Sequence, residues 1–141
     1  MPAYANLADL YRAYGRDADA EQTLTAGLAT ANGDAGLTHA LGLLRVRQGR
    51  RTEALTLLQQ AAGTAPENPR YALVLGIALH DSGKRREAID TLDASLDRFP
   101  YDPDIIAALI RYSEEGGDSA RAAAYRNRLG TPATGNEQDR L

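Results

Sequence analysis

Apolar residues along this chain recur three and four positions apart, and Gly or Pro breaks the run at regular places. Tyr4, Leu7, Leu10 and Tyr11 set the pattern just after Pro2. Leu41 and Leu44, Leu55 and Leu58, then Leu75, Ile89 and Leu92 carry it onward. Such spacing gathers apolar groups on one face of a helix. It predicts eight helices, over 3–14, 17–31, 35–48, 51–64, 69–82, 85–98, 103–115 and 118–129. Pro66, Pro69, Pro100 and Pro103 separate neighbouring helices, since proline is tolerated only in a first turn.

The helices repeat as a unit. An ungapped offset of 34 residues aligns Leu7, Leu41, Leu75 and Leu109; Gly15, Gly49, Gly83 and Gly117; and Ala20, Ala54, Ala88 and Ala122. A period of this length marks a stack of similar supersecondary units. The glycine column ends each first helix, where a positive φ ties off the last carbonyls at little steric cost. The alanine column lets the second helix approach closely, with Gly42 and Gly76 supplying the facing gap and leucines filling the space beside it. Four helical hairpins follow, at about 1–34, 35–68, 69–102 and 103–130, before an aperiodic tail over 131–141 that reads as disordered. In the last hairpin, Arg121, Arg126 and Arg128 read as a polar outer face that closes the stack, the alternative being a further capping helix supplied from elsewhere.

These columns resemble the tetratricopeptide repeat family over residues 1 to about 130. The middle repeats carry the match: Leu41-Gly42, Gly49, Ala54, Leu58 and Pro66, then Leu75-Gly76, Gly83, Ala88, Leu92 and Pro100. The first repeat has Ala8 where the family favours Gly. The fourth has Ile110 there, and Arg126 where a large apolar residue is expected. The resemblance implies an all-α fold, a right-handed α-solenoid of four helix-turn-helix repeats with eight antiparallel helices. It also implies a non-catalytic scaffold whose first helices line a concave groove.

Carried onto this sequence, that geometry places Asn6, Asp9, Arg12 and Ala13 of the first helix on the groove face. It adds His39, Leu43, Val46 and Arg47; then Leu73, Ile77, His80 and Asp81; then Ala107, Arg111 and Glu114. Leu43, Val46, Leu73 and Ile77 lie off the core stripe of Leu7, Leu41, Leu44, Leu55, Leu58, Leu75, Ile89 and Leu92. An apolar strip with a charged rim suits a peptide or helix of a partner protein. Some relatives grip an acidic chaperone tail with Lys, Asn and Arg, but the matching positions here are Ala5, Asp9, Ala40, Leu73 and Ile77, so that clamp is missing.

Composition narrows the rest. Hydrophobic residues make up 43% and charged residues 25%, with a formal net charge of −3. That balance gives no general attraction to nucleic acid or anionic membrane. The basic clusters Arg45, Arg47, Arg50, Arg51 and Lys84, Arg85, Arg86 read as solvated hairpin tips. Without cysteine there is no disulfide or thiolate chemistry, and a bacterial cytoplasm or periplasm would suit the chain equally. No apolar run reaches membrane-spanning length, so membrane insertion is not expected. His39 and His80 lack ligand spacing, Glu114-Glu115 diverge on their helix, and no phosphate loop occurs. No catalytic site and no cofactor are expected. The alternative to a peptide-binding scaffold is a structural or homo-oligomerising module of a larger protein. Asn6–Arg12 and Leu41–Arg50 also resemble C-terminal repeat domains of bacterial multihaem cytochrome-type proteins, although this sequence has no haem attachment motif.

Overall fold

The side chains of Asp34, Asn68, Asp102 and Asp118 cap helix starts in this chain, while the second helices of the first three hairpins open without such a cap. The first helix of each hairpin stops at a glycine. The computed structural model describes the backbone of residues 2–140 and the side chains of residues 7–129. Among these it holds eight α-helices and no strand: α1 (Pro2–Ala13), α2 (Asp17–Thr30), α3 (Ala35–Arg47), α4 (Arg51–Thr64), α5 (Pro69–Asp81), α6 (Arg85–Ser95), α7 (Pro103–Glu115) and α8 (Ser119–Arg140). The Asp34 carboxylate accepts the Leu37 backbone N–H at 2.9 Å and so opens α3. Asp102 does the same for α7, accepting from Asp104 and Ile105 at 3.0 Å each, with Pro103 in the first turn. Both satisfy donors that no helical carbonyl can reach.

At each hairpin tip the column glycine turns left-handed, with φ of 74° at Gly15, 75° at Gly49, 80° at Gly83 and 78° at Gly117. The next residue then donates back across the turn: Arg16 to the Tyr11 carbonyl at 2.7 Å, and Arg50 to Arg45, Lys84 to Leu79 and Asp118 to Ser113 at 2.9 Å each. These bonds close the otherwise unpaired carbonyls of the first helix.

The chain divides into two compact units, Met1–Tyr71 and Ala72–Leu141. In the first, Ala8, Ala20, Leu24, Leu37, Ala40 and Leu44 form a core cluster flanked by Tyr11, Leu28, Ala31 and Leu41. In the second, Leu75, Leu79, Ala88, Ile89, Leu92, Ile105, Ile106, Leu109 and Ala122 are buried. The tightest contacts are between the helices of the middle hairpins. A Cβ at Gly42 would stand 2.8 Å from Leu58 Cδ2, and one at Gly76 would stand 2.6 Å from Leu92 Cγ. Leu58 and Leu92 therefore occupy the space that a side chain on the first helix would need.

Some expectations shift. Leu7, placed in the core by the pattern, is 42% exposed, while Ala8 beside it is 2% exposed. The small residue at the family's glycine position faces α2, and this turns Leu7 outward. Leu41 and Leu55 are half-buried; the other five core residues are buried. Helix α6 ends at Ser95, three residues before the expected end at 98, and the Ser95 hydroxyl donates to the Leu92 carbonyl at 2.6 Å as the chain enters its turn. In α8, Tyr125 is 6% exposed and supplies the bulk that Arg126 does not, while Arg126 pairs with Glu114 on α7. Helix α8 runs on to Arg140, where the pattern had an end at 129. The side chains of the expected tail lie outside the described residues.

The Gly76 contact gives the first prediction. Gly76→Ala should destabilise the chain by about 1–3 kcal/mol in urea unfolding, because a methyl group there overpacks Leu92. Gly63→Ala, with nothing within 4 Å of its added Cβ, should be neutral or stabilising.

Candidate functional site

Six of the ten residues expected to bind a partner lie in the first unit. Asp9 and Arg12, one turn apart on α1, form an ion pair at 2.7 Å. On α3, Val46 is 47% exposed, Leu43 is half-buried, and exposed Arg47 reaches back to Asp17 of α2 at 3.0 Å. These five residues keep accessible surface, apolar and charged side by side.

His39 does not. It is 5% exposed, and its ring stacks on Tyr71 of α5 with centroids 4.3 Å apart. Neither ring nitrogen has a hydrogen-bond partner among the described residues. Burial, with Arg70 and Arg12 adding repulsion, pushes its pKa down to about 4. His39 is thus a neutral aromatic wedge between first helices, and its expected place on an open groove face is corrected. Tyr71, which the groove reading did not include, covers it.

The other four residues lie in the second unit. Ile77 is 39% exposed on α5 and Leu73, one turn earlier, is half-buried. Ile77, His80 and Asp81 of α5 face Ala107, Arg111 and Tyr112 of α7 across a shallow groove of about 440 Å³. The His80 ring lies flat on Tyr112, with centroids 3.9 Å apart and planes 5° apart. Its Nε2 is 2.5 Å from Glu115, and Arg111 approaches the same carboxylate at 3.5 Å. The hydrogen bond from His80 is the main reason that the Glu115 carboxyl lies below the usual carboxylate range. Burial pushes the Tyr112 hydroxyl up.

Glu115, not Glu114, therefore joins the groove cluster; Glu114 turns to Arg126 of α8. The aromatic partners also escaped the groove reading, yet a signal was present. Tyr71 and Tyr112 each follow their histidine by 32 residues, two short of the repeat, which places them on the next first helix.

Arg45 needs a further correction. Expected at a solvated tip, it is 9% exposed, with Nη1 2.7 Å from Glu21 and 2.8 Å from the Gln48 side-chain oxygen and Nε 3.3 Å from Glu53. Its hydrogen bond to Glu21 raises the arginine pKa and lowers that of the carboxylate. Removing Glu21 would leave the largely buried guanidinium with only Gln48 and the more distant Glu53 as partners.

Chemically, these faces offer apolar contact, paired charges and aromatic edges. Among the described residues, no three His, Asp or Glu side chains converge as a metal cage. Helical hairpins repeating at a fixed period, with exposed side chains along their first helices, define a repeat scaffold of the tetratricopeptide kind. Two models of the tetratricopeptide repeat match residues 3–36 and 39–103. The chain belongs to the tetratricopeptide repeat family. A crystal structure of MamA superposes with a TM-score of 0.80 at 17% identity, covering 96% of this chain and 79% of that one. MamA AMB-1 reaches 0.74 at 25% identity, covering 94% and 72%. PilF of Pseudomonas aeruginosa reaches 0.78 at 21% identity, covering 92% and 59%. No curated protein matches the sequence. Repeats of this family generally mediate protein–protein interactions and are typically non-catalytic.

The depressed pKa of His39 sets a pH dependence. Its ordinary value is 6.5 and its folded value about 4, so between these the unfolded chain binds the extra proton. The stabilisation from neutral His39 is complete above the upper value and is lost as pH falls towards the lower one. Urea unfolding should show a loss of roughly 2 kcal/mol between pH 7 and pH 5. His39→Leu should flatten that slope. Glu21 and Glu115, with ordinary values of 4.5, titrate mainly below this window.

Proposed function

We propose that this chain is a non-catalytic binding module that holds a peptide or helix of a partner protein on the groove face of its first helices. The observation that carries the reading is the exposure of Val46 and Ile77, at 47% and 39%, on helices whose other apolar residues are buried or half-buried. Each has charged neighbours nearby: Arg47 on α3, and Asp81 of α5 with Arg111 of α7 in the groove beside Ile77. Apolar anchors with a polar rim bind an amphipathic segment by excluding water at the centre and setting register at the edge. The charges around Ile77 are of both signs, so they favour a mixed segment over a purely acidic or basic one. Nucleic acid is not the partner on this reading, given the net charge of −3 and the scarcity of exposed stacking aromatics.

The alternative, a structural or homo-oligomerising module, draws on α1 and the turn that follows it. Leu7, Leu10 and Tyr14 are 42%, 52% and 76% exposed, and their spacing of three and four residues puts them on one helical face. Light scattering separates the readings, because a monomer that binds peptides has no need of that face for assembly.

The test uses a displayed peptide library panned against the native chain and against a Leu43→Asp, Ile77→Asp double variant. Both positions keep solvent contact, so circular dichroism should show unchanged helix content. The native chain should retain a related set of peptides with apolar anchors, and the variant should bind them at least about tenfold more weakly. Equal binding by both chains would remove the groove face from consideration. Loss of helicity in the variant would place the two residues in the core instead.

A further inference from the structure

Two repeats of 34 residues separate Arg45 from Ser113, and the surroundings of these matching positions are inverted in charge. In the first unit the place is filled: the Arg45 guanidinium lies 2.7 Å from Glu21 and 3.3 Å from Glu53. In the second unit, Ile89 stands at the position of Glu21 and Arg121 at that of Glu53. Asp17, which pairs with Arg47 at 3.0 Å in the first unit, is matched by Arg85. A cation held by carboxylates has become a short hydroxyl surrounded by cations.

The exchange leaves a cavity of about 210 Å³, bordered by Arg85, Arg86, Ser113 and Arg121, with Asp90 and Asp118 at its edge. Ser113 is 1% exposed, and its Oγ has no hydrogen-bond partner among the described residues. A buried hydroxyl in that condition is uncommon and calls for an acceptor. The Arg85 guanidinium lies over the end of α7, with Nε 3.1 Å from where a Cβ on Gly116 would stand, so the bare glycine makes room for it. Arg121 is oriented by its Nε, which donates to the Tyr125 hydroxyl at 3.1 Å; that hydroxyl donates to Asp93 at 2.6 Å. The terminal nitrogens of Arg121 remain for another acceptor. Asp118 is engaged by the backbone, accepting the Arg121 N–H at 3.0 Å, and Asp90 is exposed at the rim. Three arginines against two aspartates leave a net positive lining.

We propose that this cavity binds a phosphoryl group, as inorganic phosphate or as a phosphate monoester. A tetrahedral oxyanion can accept from several guanidinium groups and from the Ser113 hydroxyl together. The first turns of α6 and α8 border the same space and add partial positive charge. A planar carboxylate offers fewer acceptors and would leave Ser113 or one arginine unmatched.

The test is a titration of the full chain with inorganic phosphate at constant ionic strength set by chloride, followed through backbone amide chemical shifts. Saturable shifts should centre on Arg85, Ser113, Gly116 and Arg121. Ser113→Ala and Arg85→Gln should each weaken binding about tenfold, as for loss of a hydrogen bond to a charged group. Asp90→Asn should tighten it. Ser113→Arg, which restores the residue type of the first unit, should abolish it; circular dichroism confirms that each variant is folded. Phenyl phosphate provides the second arm. Binding of both ligands identifies the phosphoryl group as the ligand, and binding of inorganic phosphate alone identifies the free ion. Absence of saturable shifts, shifts spread over arginines throughout the chain, or unchanged affinity in Ser113→Ala and Arg85→Gln would each overturn the proposal.

Discussion

Leu58 seated over Gly42, and Leu92 over Gly76, set the distance between the helices of the two middle hairpins. Because the glycine has no side chain, the leucine reaches the backbone of the facing helix and both leucines become fully buried. The alanines of the second helices, Ala54 and Ala88, are buried in the same hairpins at 1% and 0% exposure. Close approach fixes helix rotation, since ridges can enter grooves in few ways. Rotation then decides which residues of the first helix are left outside. Val46 and Ile77 remain exposed because Leu44 and Leu75 are turned inward by these contacts. The exposed apolar face of the first helices is therefore a consequence of where small residues allow helices to meet.

Fold was highly legible in the sequence because the restraints that shape it are local and repeated. A glycine needed for a left-handed tip and a proline in a first turn each leave a residue-type mark at a fixed spacing. All four column glycines adopt the predicted conformation. Repetition multiplies weak signals until a register is fixed, even in the fourth hairpin, where Tyr125 replaces the expected apolar residue one position away.

The site was less legible, and the failures share a cause. His39 and Glu114 were placed by the groove geometry that the family resemblance implies, and Arg45 by its position near a hairpin tip; neither tells what lies opposite a side chain. Tyr71 turned His39 from an open polar residue into a buried one, and Glu21 and Glu53 drew Arg45 inward from a tip. Burial of polar groups depends on partners from other helices, and residue types at one helix's own period do not encode it. Comparing repeats position by position recovers part of this information. The change from Arg45 to Ser113, with its exchanged neighbours, is visible only when both units are read in one register.

Partner segments, on the function proposed above, are held by the exposed side chains of the first helices. The most direct measurement of this is amide shift mapping with a peptide selected on the native chain. Perturbations are expected at Val46, Arg47, Ile77, Asp81 and Arg111, with Thr25, Gln59 and Asp93 on the second helices unmoved. Perturbations confined to the second helices, or to Leu7, Leu10 and Tyr14 at and just past the end of α1, are the opposite result and would rule this binding face out.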